Sequence, residues 1–314
     1  MPVKVNGSYT LRLIEDGREI NKITVPNTIT LAGDDLLGKY LTDDSERFIN
    51  YLAVGLNSTA NTLDVTDTRL ATNIDLGHEI IRKRCLSKAW TDAITNSLKV
   101  SYYVNFSPNE AVGVLREIGS FDRVKNEDSD LSDDYLIANF DNSLDGGTWT
   151  LGTIDTTNFV EGESSLSTGS VSANTTSTMR LSTNFDLSGY QTVDKIQIMA
   201  RMSNIAQSVE VRFETDQFNY YSKVFSAGFT GAAWNLLSSA ISGYAPTGAP
   251  DWSEITSIAI LGKANAASAT TFNYNSLRTI TANSNSTMFS RAVINTTKTS
   301  KQELLVSYDI QFNF

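Results

Sequence analysis

Apolar and polar side chains alternate with a period of two along much of the chain. In the C-terminal run ELLVSYDIQFNF, Leu304, Val306, Tyr308, Ile310, Phe312 and Phe314 share one face, and Ser307, Asp309, Gln311 and Asn313 share the other. That is the pattern of a half-buried strand. LKVSYYVNF repeats it through Leu98, Val100, Tyr102, Val104 and Phe106, and SYTLRL through Tyr9, Leu11 and Leu13. All three are expected to face one core.

Helical signal is scarce. GDDLLGKYL predicts one short helix, with Asp34 or Asp35 as its cap and Leu36, Leu37, Tyr40 and Leu41 as its apolar face. Residues 77–86, containing HEIIRKR, fit either a second helix or an exposed strand.

The alternation stops twice, at VKNEDSDLSDD and at TANSNST, each a run of small polar or charged residues expected of an exposed connection. Between them lies a strand pattern of its own, with Ile196 and Ile198, then Val209, Val211 and Phe213, then Phe218 and Tyr220, then Ile258 and Ile260, then Phe272 and Tyr274. This is enough for an eight-strand sandwich. The expected architecture is therefore all-β, with two β-sandwich domains, the second a jelly roll inserted into a loop of the first. Residues 1–132 plus 283–314 would form the discontinuous outer domain and 133–282 the insert. The alternative is two domains in simple succession, with the last strand in the middle module.

Composition agrees with a folded chain of two domains: 314 residues, 40% apolar and 19% charged. The 25 basic and 35 acidic side chains give a formal net charge of -10, and no basic run exceeds Arg82-Lys83-Arg84. Nucleic acid and anionic membrane surfaces are therefore not expected partners. The start, MPVKVNGSYT, has no basic and apolar leader, and no apolar run reaches the roughly 18 residues that span a bilayer, so synthesis in the cytoplasm as a soluble chain is expected. The one cysteine, Cys85, has no partner in the chain for a disulfide.

Two resemblances sharpen this reading. YLAVGLNSTA with VTDTRL, the strand SYYVNFSPNEA, the turn VLREIGSFD and the closing MFSRAVINTTKTSKQELLVSYDIQF together resemble a family of small tailed-bacteriophage structural proteins encoded among tail, neck or baseplate genes. In that family REIGSFD and FSRAVI are joined by a short hairpin-like loop, whereas here a domain's length separates them. The resemblance implies a virion protein, at the tail, the neck or collar, the baseplate or the head surface as decoration or fibre. It would be packed among other virion proteins in homo-oligomeric or symmetric copies. In these segments Gly55 and Gly119 are expected at strand ends with positive φ, Asn109 and Glu110 in a tight turn, and Arg291 beside Glu117 either as a cross-strand pair or as two solvated charges.

The middle segment, with LIANFDN, GTWTLG, GESSLS, NFDLSGYQTVDKIQIMARM, FTGAAWNLLSSAI, DWSEITSIAIL and FNYNSLRTI, resembles the jelly-roll carbohydrate-binding modules attached to glycan-degrading enzymes. That likeness implies a host-surface polysaccharide as ligand and a structural calcium as the one candidate cofactor, held by Asp141, Glu161 or Glu163, and Asn275. Sugars are gripped by aromatic faces flanked by hydrogen-bonding groups. Trp149, Phe218, Tyr220, Tyr221, Trp234, Tyr244 and Trp252 are the aromatic candidates, of which Trp234 and Trp252 are expected to fill the core. Tyr220 and Tyr221 must point to opposite faces of a strand. Tyr221 and Tyr244 are the preferred ligand contacts, with Trp149 and Tyr220 beside them.

Catalytic chemistry finds little to work with. His78 is the only histidine, HEII does not continue to HExxH, and neither a complete phosphate-binding GxxxxGK[ST] nor a dinucleotide GxGxxG is present, since GDDLLGK is followed by Tyr40. Residues 127–134 are acidic but lack the glycine and closing glutamate of a calcium-binding loop. Carboxylate pairs for glycan hydrolysis are numerous but sit in no catalytic motif. The expectation is a protein that is not an enzyme, with a glycan-binding protein or a depolymerase as the alternative.

Overall fold

The computed structural model describes residues 4–41, 49–56, 79–92, 97–122, 135–141, 147–190, 192–281 and 286–313. In chain order the strands are β1 (Lys4–Glu15), β2 (Arg18–Pro26) and β3 (Thr28–Ile29), then helix α1 (Leu31–Leu41), then β4 (Tyr51–Gly55), β5 (Glu79–Arg84), β6 (Leu86–Asp92), β7 (Ser97–Phe106) and β8 (Gly113–Phe121). There follow β9 (Tyr135–Ala138), β10 (Thr153–Asp155), β11 (Ser165–Val171), β12 (Thr176–Phe185), β13 (Lys195–Met202), β14 (Ser208–Glu214), β15 (Tyr220–Phe225), β16 (Trp234–Ala240), β17 (Ala245–Thr247), β18 (Ile255–Lys263) and β19 (Thr270–Ile280). The chain closes with β20 (Met288–Lys298) and β21 (Gln302–Asn313). The protein is all-β with a single short α-helix and two single-turn 3-10 helices among the described residues, and it divides into two compact units, 1–129 with 285–314, and 130–284.

The discontinuous unit has two five-stranded antiparallel sheets, β2-β1-β21-β7-β6 and β3-β20-β8-β4-β5. Alternation along β1, β7 and β21 puts Tyr9, Leu11, Leu13, Tyr102, Val104, Phe106, Leu304, Val306, Tyr308, Ile310 and Phe312 into one core. The last strand thus belongs to this unit, between β1 and β7, and not to the middle module. Tyr9 stacks on Tyr308 at 4.4 Å, and its hydroxyl bonds Ser290 Oγ on the facing sheet at 2.7 Å, so the polar tips of core aromatics are satisfied inside. Across β8 and β20, Met288 is registered with Phe121, and the Thr287 amide donates to Asp122 Oδ1 at 2.6 Å. The points where the chain leaves and re-enters this unit are neighbours.

The insert is a two-layer sandwich of eleven strands among the described residues, where the sequence indicates eight. One sheet is β10-β11-β19-β13-β16 with β9 added against β19, and the other is β12-β18-β14-β15-β17. Its core includes Ile196, Ile198, Val209, Val211, Phe213, Ile258, Ile260, Phe272 and Tyr274. The first and last strands of the insert pair with each other, Tyr135 opposite Thr279, so its two ends also lie together.

Several local expectations change. Helix α1 begins four or five residues earlier than the aspartates suggest, because Thr30 is the cap: its Oγ1 accepts from the Gly33 amide at 2.9 Å, and Asp34 lies in the first turn. EIIRKR, Glu79–Arg84, forms the strand β5 and not a helix. Gly55 and Gly119 do not take positive φ, and Gly119 lies inside β8, paired with both Ala53 and Arg291. The turn at Asn109 and Glu110 forms as expected, closed by Glu110 N to Ser107 O at 3.0 Å. Arg291 and Glu117 are a pair and not solvated charges: Nε meets Oε2 at 3.0 Å, with side chains 0% and 1% exposed.

Candidate functional site

The solvent-side face of the sheet β12-β18-β14-β15-β17 carries a dense polar arrangement. In β14, Val209, Val211 and Phe213 turn into the core, which leaves Glu210, Arg212 and Glu214 on the other face. Register places Ser222 opposite Arg212, Tyr220 opposite Glu214, and Val224 opposite Glu210. From the other side, Arg180 and Arg212 are both registered with Ala259 of the intervening β18. One row across the face therefore reads Arg180, Ala259, Arg212, Ser222, and the next Ser182, Ser257, Glu214, Tyr220.

The charges on this face are arranged as two forks. Arg180 holds Glu214 through Nε–Oε2 and Nη2–Oε1 contacts of 2.9 Å each, and Ser257 Oγ adds a 2.7 Å bond to the same carboxylate. Glu214 is buried beneath Arg180, whose side chain stays 41% exposed. Arg212 holds Glu210 at 2.6 and 3.1 Å and lies over the Tyr220 ring, 4.6 Å from its centroid. The bond to Glu210, with the fields of neighbouring carboxylates and against partial desolvation, raises the Arg212 pKa above its ordinary value. The result is a flat surface of fixed donors and acceptors beside one aromatic face.

Beyond it, the β14–β15 turn is built to hold Phe218 outward. Asp216 Oδ1 accepts from the Phe218 amide at 2.7 Å and the Asn219 amide at 3.0 Å, and Asn219 Oδ1 in turn accepts from Ala249 N at 2.7 Å. Phe218 is left 71% exposed. A depression of about 590 Å³ of mixed character is lined by Asn184, Phe185, Asp186, Thr215, Glu254 and Ile255 among others.

Of the four aromatic contacts expected from the sequence, the structure puts only Tyr220 on this face. Tyr221 points the opposite way, stacked on Trp252 at 4.1 Å with its hydroxyl donating to Pro250 O at 2.9 Å. Tyr244 is a core residue, 4% exposed, edge-on to Phe213 and Trp252, and burial drives its phenol pKa upward. Trp149 is 5% exposed and stacked on Phe140. Neither Tyr244 nor Trp149 presents a face to a ligand, because each is needed to fill the sandwich. Arg180, Glu210, Arg212 and Glu214 were not expected; the alternation SVEVRFE marks three of them as outward-facing, but nothing local pairs Arg180 with Glu214.

The residues expected to hold calcium lie in one region without forming an ion site. Asn275 Oδ1 accepts from the Val160 and Glu161 amides at 3.0 and 2.7 Å, and its Nδ2 donates to Asn139 O at 2.6 Å and Ser164 O at 3.0 Å. Both carboxylate oxygens of buried Glu161 bond the Arg278 guanidinium. Asp141 accepts from Asn139 Nδ2 at 2.8 Å, and Glu163 is exposed. Calcium wants six to eight oxygens, several of them anionic. This donor set does not fit it, and among the described residues no three His, Cys, Asp or Glu side chains gather for a metal. His78 and residues 127–134 lie outside the described residues.

No protein-family model and no curated protein matches the sequence. Among solved structures, the chain is similar to a family 11 carbohydrate-binding module from Clostridium thermocellum in complex with a β-1,3-1,4-mixed-linked tetrasaccharide, at 13% identity over 48% of this chain and 97% of that one, TM-score 0.36. It is similar to a family 30 carbohydrate-binding module at 12% identity over 49% and 84%, TM-score 0.34. A structure described for promiscuous carbohydrate-binding modules of the β-sandwich superfamily aligns at 12% identity over 76% and 87%, TM-score 0.33. Likeness of this degree brings no ligand with it, and none of these structures is a virion protein by its description.

Proposed function

We propose that the protein is a non-enzymatic structural protein of a bacteriophage virion that displays a glycan-binding sandwich. The discontinuous unit would anchor it, in symmetric copies, among other proteins of the tail, neck, baseplate or head surface. The insert would meet host-surface polysaccharide through Arg180, Glu210, Arg212 and Tyr220, with buried Glu214 holding Arg180 in place. The observation that carries the ligand class is the face itself. Fixed bidentate guanidinium–carboxylate pairs offer adjacent donors and acceptors that match vicinal hydroxyls, and the Tyr220 ring offers a surface for the C–H side of a sugar.

Many copies on one particle convert weak single contacts into firm attachment, since linked sites raise the effective concentration by orders of magnitude. The virion assignment is supported by the sequence segments quoted for the outer domain. The full-length chain on arrays of cell-wall and capsular glycans tests the ligand class, and retention by no sugar would contradict it. Mass spectrometry of purified particles tests the location: the chain is expected among the structural proteins, and its absence there would contradict the anchor role. Release of reducing ends from a bound polysaccharide would favour a depolymerase instead.

A further inference from the structure

The residues grouped around Asn275 and Arg278 do a job that the misfit to calcium leaves unexplained. Both lie on β19, three positions apart, where simple alternation would send them to opposite faces. A bulge prevents that. Opposite Gln197 to Met199 of β13, β19 carries one extra residue, and Ser276 takes φ 53° there. Phe272, Tyr274 and Leu277 accordingly face the core, while Asn275 and Arg278 share the other side.

On that side they bind the same short segment. Asn275 uses both ends of its amide on four backbone groups, tying Asn139 after β9, the Val160–Glu161 step and Ser164 before β11 to the last strand of the insert. Arg278 adds its guanidinium to Glu161, and its Nε donates to Ser276 Oγ in the bulge. Arg278 and Glu161 are both buried, and a buried carboxylate needs a cation beside it.

We infer that Arg278 supplies the positive charge at this joint that a divalent cation would otherwise supply, so that the inserted unit closes on its own side chains and is indifferent to calcium. The bulge at Ser276 is the device that aims the guanidinium, and the Asn275 amide replaces the carboxylate that an ion would require.

The test is thermal unfolding of the full-length chain, following the transition of the inserted unit, in excess EDTA and in millimolar calcium chloride. The expected result is one Tm in both. Arg278→Met should lower that Tm by roughly 10 °C in either condition, because it leaves Glu161 buried and unpaired. Arg278→Lys, which keeps the charge but loses the fork, should fall between the two and remain calcium-indifferent; it also serves if Arg278→Met does not fold. A Tm of the unaltered protein that rises with calcium, or calorimetric titration that detects a calcium site lost in Glu161→Gln, would overturn the inference. So would Arg278→Met with an unchanged Tm.

Discussion

The guanidinium of Arg212 lies 4.6 Å from the centroid of the Tyr220 ring, on the outward face of the sheet whose inward face buries Phe213. Arginine prefers such a seat because its delocalised, weakly hydrated charge stacks on a π-face while its edge still hydrogen-bonds a carboxylate. The contact freezes both side chains before any ligand arrives, which reduces the entropy a binding partner must overcome. Arg212→Lys is therefore expected to weaken glycan binding severalfold while leaving Tm nearly unchanged. Isothermal titration beside a melting curve separates the two effects.

The buried pair Arg291–Glu117 predicts a different balance. Removing one member, as in Glu117→Ala, leaves the Arg291 charge buried and should cost about 3–5 kcal/mol. Changing both to apolar residues of similar volume should cost much less than the sum of the single changes. A double-mutant cycle by chemical denaturation of the outer unit reads this directly, and additive losses would refute the coupling.

Helix α1 is fixed from two directions. Thr30 Oγ1 accepts from Gly33 N and donates to Met288 O at 2.5 Å, so Thr30→Ala should cost about 1–2 kcal/mol. A Cβ built on Gly33 would stand 2.2 Å from Phe289 O, a backbone atom that cannot swing aside. Gly33→Ala should therefore destabilise at least as much as an overpacked core residue, about 1–3 kcal/mol. Urea unfolding of both variants gives the comparison.

These elements show where sequence reasoning reaches and where it stops. Alternation identified Tyr9, Leu11, Tyr102, Val104, Tyr308 and Ile310 as core because the side-chain period of a strand is a local property. The same rule separated Tyr220 from Tyr221 but could not say which faced out. That is decided by the pairing of Tyr221 with core-facing Phe213 across β14 and β15. The Arg180–Glu214 fork joins residues that never become neighbours in sequence, with β18 between their strands. The bulge at Ser276 shifts phase by one residue, which strict alternation does not anticipate. The helix cap was misplaced because acidic residues favour both the cap and the first turn, and only the hydrogen bond to Gly33 distinguishes them.

Alkaline pH should unfold the chain through its buried acids. Burial raises the phenols of Tyr9, Tyr244, Tyr274 and Tyr308 above the usual tyrosine value, and burial, partly offset by Arg84, pushes the Cys85 thiol up to about 11. A folded-state pKa above the unfolded one gives stability that is complete below the unfolded pKa and disappears as pH climbs toward the folded value. Stability should thus decline from about pH 9 upward, first through Cys85 and then through the tyrosines. Phenolate absorbance during an alkaline titration should show these four tyrosines ionising only together with loss of the β-sheet circular dichroism signal. Smooth titration in the folded protein would contradict the prediction.

The central claim is that the outward face of β12, β14, β15 and β18 holds a glycan, and one comparison of adjacent residues tests it most directly. The full-length chain, Tyr220→Ala and Tyr221→Ala should be titrated against the polysaccharide that the array identifies, with Tm measured alongside. Tyr220→Ala is predicted to lose about tenfold in affinity at nearly unchanged Tm, by analogy with the about 1–3 kcal/mol that a base stacked on one aromatic ring contributes. Tyr221→Ala should instead lower Tm through its lost stack on Trp252. Undiminished binding by Tyr220→Ala would contradict the claim.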